Sequence, residues 1–469
     1  MIFCTIKYLV FFAIVYSFYV LCKRNLKKQN LLLLVSSYFF YATWNWKFLF
    51  LLLFSTLIDF YSGLRIEATD NKTTKKLFLL LSIVVNLGFL GFFKYTGFIF
   101  QNISGILSFC GINLQVPNFF YHIILPAGIS FYTFQTMCYT IDVFKGSVKA
   151  ERDFVTFAVY VTFFPQLVAG PIERAGNLLK QIKVFRLLSV KNFLFGFRLF
   201  LFGCFKKVVM GDNAGVYVDS IFSKLTTASP LEVLLATYAF GVQIYCDFSG
   251  YTDMARGSAQ ILGFHLMENF NLPYFAKTIG EFWRRWHISL SSWLRDYLYF
   301  PLGGSHCSLL KTCRNLFIVF LLCGIWHGAR WTFVLWGIYH GSFVVFERIL
   351  KIKPSDRLFK GILQNILTFH IVMFGWLIFR CTSFADLSIA CSKLVALFSS
   401  HNFFLNHDMW FLVNFSFIPL VLFELLQLKS KFFDLKLPVF VQAFIYVLMF
   451  YAILFLNIGN TKQFIYFQF

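Results

Sequence analysis

The sequence predicts an all-α, polytopic membrane protein, and two observations carry that expectation. Only 13% of the 469 residues are charged while 58% are hydrophobic, against about 25% charged in a soluble domain. Apolar runs long enough to cross a hydrocarbon core of about 30 Å recur from end to end, separated by short clusters of Lys and Arg. The 67 phenylalanines suit lipid-facing helices, where an apolar ring needs no polar partner.

The basic clusters orient the spans, because Lys and Arg collect in cytoplasmic loops. The first run, 2–21, has no basic segment ahead of it and no small-residue cleavage site before Lys23 and Arg24, so it reads as a retained span, not a signal peptide. Lys23, Arg24, Lys27 and Lys28 follow it, which places that loop in the cytoplasm and the N-terminus outside. Residues 31–42 return outward to a turn bearing Trp44 and Trp46; 48–64 come back to Arg65, Lys72, Lys75 and Lys76; 77–93 go out again.

The middle is less regular. Runs 98–109 and 121–141 are interrupted by Gly105, Pro126 and Gly128, and 154–169 holds Pro165 just before Gly170-Pro171. Helix breakers at membrane depth require burial in protein or a cavity to line. Residues 173–191, with Arg174, Lys180, Lys183, Arg186 and Lys191, read as a cytoplasmic connection; 193–210 and 231–248 read as spans. Residues 281–299 are too charged to cross and too aromatic to be a free loop, and fit an amphipathic element at the cytoplasmic interface. Lys311 and Arg314 on one side, and Lys351, Lys353 and Arg357 on the other, require 315–350 to enter and return.

The last third is simpler. Residues 362–379 go out, 386–398 and 401–408 lie outside, 410–426 come in to Lys429, Lys431 and Lys436, and 437–456 go out, so the tail 457–469 starts on the outer side. The whole amounts to about eleven spanning or re-entrant helices. They form one transmembrane domain, 1–469, with N-terminal spans in 1–110, a catalytic core in 111–350, and C-terminal spans with an aromatic tail in 351–469.

His327 is the first chemical candidate. A helix begun at Asn315 rises about 18 Å to it, roughly halfway into the core, where an ionisable group is a functional hypothesis by default. A neutral imidazole is also suited to take a proton from a hydroxyl near neutral pH. A packing histidine bonded to a neighbouring helix is the competing reading. His287 follows Phe282-Trp283-Arg284-Arg285-Trp286. Arg284 and Arg285 could hold the phosphates of a thioester donor, or simply anchor the segment at the membrane surface. His340 lies 13 residues beyond His327, nearly four turns along an unbroken helix, and suits a supporting role. Asp247, Asp253 and Arg256 sit together at an expected span end and could pair with one another. The chain ends Phe464-Ile465-Tyr466-Phe467-Gln468-Phe469. Either this docks at an interface, or the Tyr466 phenol carries an acyl group as an ester.

Several classes are excluded. HExxH, P-loop, GxSxG and GxGxxG-acid patterns are absent, so no resident metal or bound cofactor is expected. The 11 cysteines form no CxxC pair and read as small hydrophobes. The net charge of +21 is scattered between apolar runs, which argues for cytoplasmic loops and against a nucleic-acid surface.

Four segments together resemble the membrane-bound O-acyltransferase family. They are Pro165-Gln166-Leu167-Val168-Ala169-Gly170-Pro171-Ile172-Glu173-Arg174, the stretch 245–255 around Cys246-Asp247-Phe248-Ser249-Gly250, the stretch 281–297 around Trp283-Arg284-Arg285-Trp286-His287, and the stretch 324–337 around Trp326-His327-Gly328. The resemblance is to the bacterial branch holding the membrane subunits of alginate and peptidoglycan O-acetyltransferases, and covers the chain from about Tyr41 to the tail. It implies a ring of helices around a central funnel through a thinned membrane, in the bacterial cytoplasmic membrane. It implies that His327 is the active-site histidine, His287 the second polar position of that site, and Tyr466 an acyl relay. It implies acetyl-CoA or another acyl thioester as donor, a separate extracytoplasmic acetyltransferase as partner, and a polysaccharide as eventual acceptor. Arg330 departs from the family pattern, where a small or polar residue is commoner. Two rivals stay open at this point: the D-alanyl transfer protein of teichoic acid modification, whose donor is a carrier protein, and a transporter without chemistry, which inverted repeats would favour.

Overall fold

The computed structural model describes residues 2–112, 117–121, 123–399, 407–429, 438–457 and 464–465. Every regular element among them is helical and none is a strand, as a chain buried in lipid requires unless its sheet closes on itself.

The first helices begin where side chains satisfy their free N–H groups. Thr5 caps α1 (Ile6–Leu21), Asn25 caps α2 (Leu26–Asn45), and Asn71 caps α4 (Lys72–Phe109) after α3 (Lys47–Ala68). The two runs expected at 77–93 and 98–109 are one 38-residue helix, α4. Gly105 has open space around it, and a lone glycine costs a helix only about 1 kcal/mol, too little to break it. Then come α5 (Ile129–Phe144), α6 (Phe154–Thr162), α7 (Phe164–Leu167) and α8 (Ala175–Ile182). α6 stops where Pro165 falls within the first turn of α7, since proline cannot donate into a continuing helix.

The helix α9 (Val190–Phe205) runs into a π-helical segment, Lys206–Asp212, and on into α10 (Asn213–Phe222). The run expected to end at 248 instead forms the 32-residue α11 (Pro230–Ile261), so Asp247, Asp253 and Arg256 lie within a helix, not at a span end. Beyond are α12 (Ile279–Arg285), α13 (Ile288–Leu294), α14 (Leu309–His327), α15 (Trp331–Ile349), α16 (Leu358–Arg380), α17 (Phe384–Ala396), α18 (His407–Leu412), α19 (Ile418–Lys429) and α20 (Val439–Phe455). Among the described residues six helices are long and apolar enough to cross a membrane: Lys47–Ala68, Lys72–Phe109, Pro230–Ile261, Leu309–His327, Leu358–Arg380 and Asp408–Gln427. Three shorter apolar helices, Ile6–Leu21, Phe154–Leu167 and Val439–Phe455, add to these. The protein is a multi-pass membrane protein.

The chain divides into two compact units, Met1–Phe197 with Ala255–Met267, and Arg198–Met254 with Glu268–Phe469. In the first, several buried polar groups bond to one another. Asp59 accepts from Ser82 Oγ at 2.5 Å and from Asn86 Nδ2 at 2.9 Å, while Asn86 Oδ1 accepts from Ser55 at 2.8 Å. Arg186, placed in a loop at the sequence level, is buried: it donates to Tyr19 Oη at 2.7 Å and Asn30 Oδ1 at 2.8 Å and stacks on Phe264. Glu173 accepts from the Met267 backbone at 2.6 Å, and burial pushes its carboxyl above the ordinary range.

In the second unit α14 and α15 form a tight antiparallel hairpin. A side chain at Gly324 would strike the Phe333 carbonyl, and one at Gly337 would come within 2.6 Å of the Phe320 carbonyl. The two backbones therefore touch glycine to glycine, as helices without a hydrophobic drive between them must pack. The expectation that 315–350 enters and returns is met by two helices of 19 residues each, each spanning about 28 Å. Gly324→Val should separate them and cost about 1–3 kcal/mol; a thermal melt followed by detergent-phase size exclusion should show the loss, with Gly91→Val, in open space, as the neutral control.

Candidate active site

His327 is the last residue of α14. Because that helix starts at Leu309, the imidazole is about 27 Å along it, not the 18 Å counted from Asn315. It is 4% exposed. Three rings enclose it edge to face: Trp336 at 4.9 Å, Trp326 at 5.0 Å and Phe379 at 5.3 Å. Gly328 follows because Phe333 lies where its side chain would be, and the Phe333 ring in turn packs on Phe379 at 4.7 Å. The hairpin turn, the phenylalanines and the histidine are thus one packed group.

His287 sits in the break between α12 and α13, with φ 43° and ψ 55°. A left-handed backbone at a residue with a side chain costs of order 1 kcal/mol and persists only where surroundings enforce it. Here the segment before α12 does so. The Asn269 carbonyl accepts from Ile288 N at 2.9 Å, Asn269 Oδ1 accepts from Ser289 N at 3.1 Å, and Asn271 N donates to the Arg285 carbonyl at 3.0 Å. The imidazole is 1% exposed and packs edge-on against Phe248 of α11 at 4.6 Å. Burial among rings pushes it down to about 3 from the ordinary 6.5, so it is a neutral base near pH 7.

Trp326 joins the two candidates. Its ring centre is 5.0 Å from that of His327 and 6.4 Å from that of His287. Two imidazoles from elements far apart in sequence therefore share one indole, in a wall of Phe248, Trp336 and Phe379. Sequence reasoning missed these walls; the tryptophan beside each histidine, Trp286 and Trp326, was the available signal.

The two arginines separate. Arg284 is exposed. Arg285 donates to Glu281 at 2.6 Å and to the Leu272 carbonyl at 3.3 Å, which ties it into α12. His340 is not a continuation of the His327 helix, because residues 328–330 break it; the estimate of nearly four turns of separation is corrected. His340 returns on α15 with no exposed surface, and Trp336 lies 4.9 Å from both histidines. Among the described residues neither of its ring nitrogens has a hydrogen-bond partner, and a side chain at Gly375 would collide with it. That is a packing role. Arg330 stands at the N-cap position of α15, with its guanidinium over the Phe333 ring at 5.8 Å.

Two cations join the Asp247, Asp253 and Arg256 group: Lys207, 2.5 Å from Asp247, and Lys206, 2.5 Å from Asp253. Both lysines lie in the run expected at 193–210. Tyr466 lies outside the described residues, as does most of the stretch 401–408. The two residues before Tyr466 are described. Phe464 is fully buried between Tyr251 at 4.6 Å and Phe248 at 5.5 Å, on the ring that also faces His287. A cavity of about 230 Å³ lined by Tyr238, Tyr274, Phe369, Met373 and Glu424 contains none of the expected site residues.

The His287 imidazole binds a proton more readily unfolded than folded between about pH 6.5 and 3, so its share of stability is lost as pH falls through that window, at up to about 1.4 kcal/mol per unit. Melting temperature should drop from pH 7 to 5, less steeply in His287→Asn. An equal slope in that variant contradicts the assignment.

The sequence model of MBOAT, the membrane-bound O-acyltransferase family, matches residues 39–388. The chain is 42% identical to the probable alginate O-acetylase AlgI of Azotobacter vinelandii, over 79% of this chain and 73% of that protein. It is 37% identical to the peptidoglycan O-acetyltransferase of Helicobacter pylori, over 76% and 72%. It is 31% identical to the teichoic acid D-alanyltransferase of Bacillus subtilis, over 54% and 68%.

Proposed function

Because this chain belongs to the membrane-bound O-acyltransferase family and is an acyltransferase, we propose that it moves an acetyl group from a cytoplasmic thioester to a polysaccharide outside the cytoplasmic membrane, with His327 as general base. The observation that carries the reading is the pair of buried imidazoles, His327 and His287, sharing the Trp326 indole beside the described end of the tail. Membership of an enzyme family sets the transporter reading aside.

The chemistry runs in two steps. A thioester, acetyl-CoA by preference, docks its phosphates near exposed Arg284 and extends its acyl end toward the histidines. His327 removes a proton from the Tyr466 phenol as the phenolate attacks the carbonyl; the C–S bond breaks and the proton passes to the departing thiolate. The resulting phenyl ester then meets an acceptor hydroxyl, whose oxygen takes the acyl group while its proton returns to Tyr466. His287, neutral at pH 7, holds the carbonyl or the phenol in place. Aromatic walls exclude water, which would otherwise hydrolyse the ester. N- and C-termini lie outside, so the tail offers its acyl group on the outer face, to an extracytoplasmic acetyltransferase partner that modifies the glycan. The names of the relatives favour alginate, peptidoglycan or another exopolysaccharide as acceptor.

His327→Ala should abolish glycan O-acetylation, a loss of about a hundredfold or more for a positioned base, without changing membrane insertion or melting by more than a few degrees. Full O-acetyl content in that variant sinks the assignment. A D-alanyl donor is the second reading, favoured by the Bacillus relative. Proteoliposomes supplied separately with acetyl-CoA and with a D-alanyl carrier-protein thioester decide between them by which thioester is consumed.

A further inference from the structure

The second unit buries a charged cluster that the mechanism above does not use. Lys207 Nζ lies 2.7 Å from Asp212 Oδ1 and 2.5 Å from Asp247 Oδ1, with 1% of its side chain exposed. Lys206 Nζ pairs with Asp253 at 2.5 Å and donates to Ser249 at 3.0 Å. Close packing makes these contacts possible. A side chain at Gly203 would come within 2.6 Å of the Gly250 carbonyl, and one at Gly250 within 2.7 Å of the Gly203 carbonyl, so α9 and α11 meet backbone to backbone. The wide π turn Lys206–Asp212, a form that recurs at functional positions, presents both lysines to α11.

Mutual pairing explains why these charges can be buried. It does not explain the second oxygen of Asp247. Oδ2 accepts from the backbone N–H of Ile465 at 2.7 Å, 218 residues away in the chain. Ile465 is 3% exposed and Phe464 is fully buried. Leu456, earlier in the chain, is held by a neighbour of that cluster. Asn213, directly after the π turn, donates Nδ2 to the Leu456 carbonyl at 3.3 Å and to the Val209 carbonyl at 2.8 Å. Leu456 and Ile465 are thus each bonded to a side chain of this region, Asn213 and Asp247.

We propose that Asp247 is a latch that seats the described end of the C-terminal segment: Lys207 orients its carboxylate, and the carboxylate holds the Ile465 amide, one residue before Tyr466 in the sequence. Its relevance to catalysis rests on the reading of Tyr466 as acyl relay. Asp247 touches no substrate; it is a positioning residue. A carboxylate is the fitting acceptor, because a charge-assisted bond to N–H is roughly twice as strong as a neutral one.

Amide hydrogen exchange on the full-length protein in nanodiscs, read on C-terminal peptides, tests the latch. Asp247→Ala removes the acceptor. Ile465→Pro removes the donor and leaves the charge cluster intact, which covers the case that the first variant fails to fold. Each should raise exchange of the tail amides by about tenfold or more, while peptides from α14 and α15 keep their protection. The double variant should exchange no faster than either single one, since both break the same bond. Unchanged tail exchange in Ile465→Pro, or additive effects in the double variant, overturns the latch. Tyr466→Phe separates the two readings. Full transfer in Tyr466→Phe, with tail exchange raised in Asp247→Ala, keeps the latch and removes the relay. Lost transfer in Tyr466→Phe, with exchange unchanged in Asp247→Ala, removes the latch alone.

Discussion

A polar group carried into an apolar interior must bring its partner with it, and the second unit is organised by that requirement. Lys206 and Lys207 cannot face lipid, so they draw Asp253, Asp247 and Asp212 around them. Satisfying those aspartates demands that two helices approach until glycines touch, and Gly203 and Gly250 allow it. The approach in turn aligns α11 so that Phe248 meets His287 on one side and Phe464 on the other. A pairing constraint, not a hydrophobic one, decides where the candidate site forms.

The site itself is the complement of that arrangement. Where the cluster is charged and closed, the histidines are ringed by indoles and phenyl groups. Such surroundings hold the His287 imidazole in its basic form. The rigidity comes from backbone devices: a hairpin whose glycines admit no side chain, and a left-handed His287 held by three hydrogen bonds from residues 269–271. Both are costly locally, and both bring an imidazole to Trp326.

Much of this was legible in the sequence, because lipid imposes so few solutions. The entry and return of 315–350 followed from basic residues on its flanks alone, and the structure has the two helices. His287 and His327 were readable as a pair only through the family resemblance; no spacing rule brings residues 40 apart to one indole. Other features were hidden by averaging. The run 193–210 looks apolar overall, so its two lysines went unremarked, although Asp247 and Asp253, six apart on the next long helix, are their natural match. Gly105 does not interrupt the 38-residue α4, because each glycine costs a helix only about 1 kcal/mol. His340 and His327 do not lie along one helix, because the chain turns back at Gly328, inside the stretch whose basic flanks already require a return.

The most direct test of the account is to look for the acyl group in transit. The purified protein, supplied with acetyl-CoA and no acceptor, is digested, and the C-terminal peptide is weighed by mass spectrometry. The account predicts one ester-linked acetyl on Tyr466 in the unaltered protein and none when His327 is alanine. Equal labelling of that peptide in both proteins, or a stable acetyl group elsewhere with the tail unmodified, would contradict it.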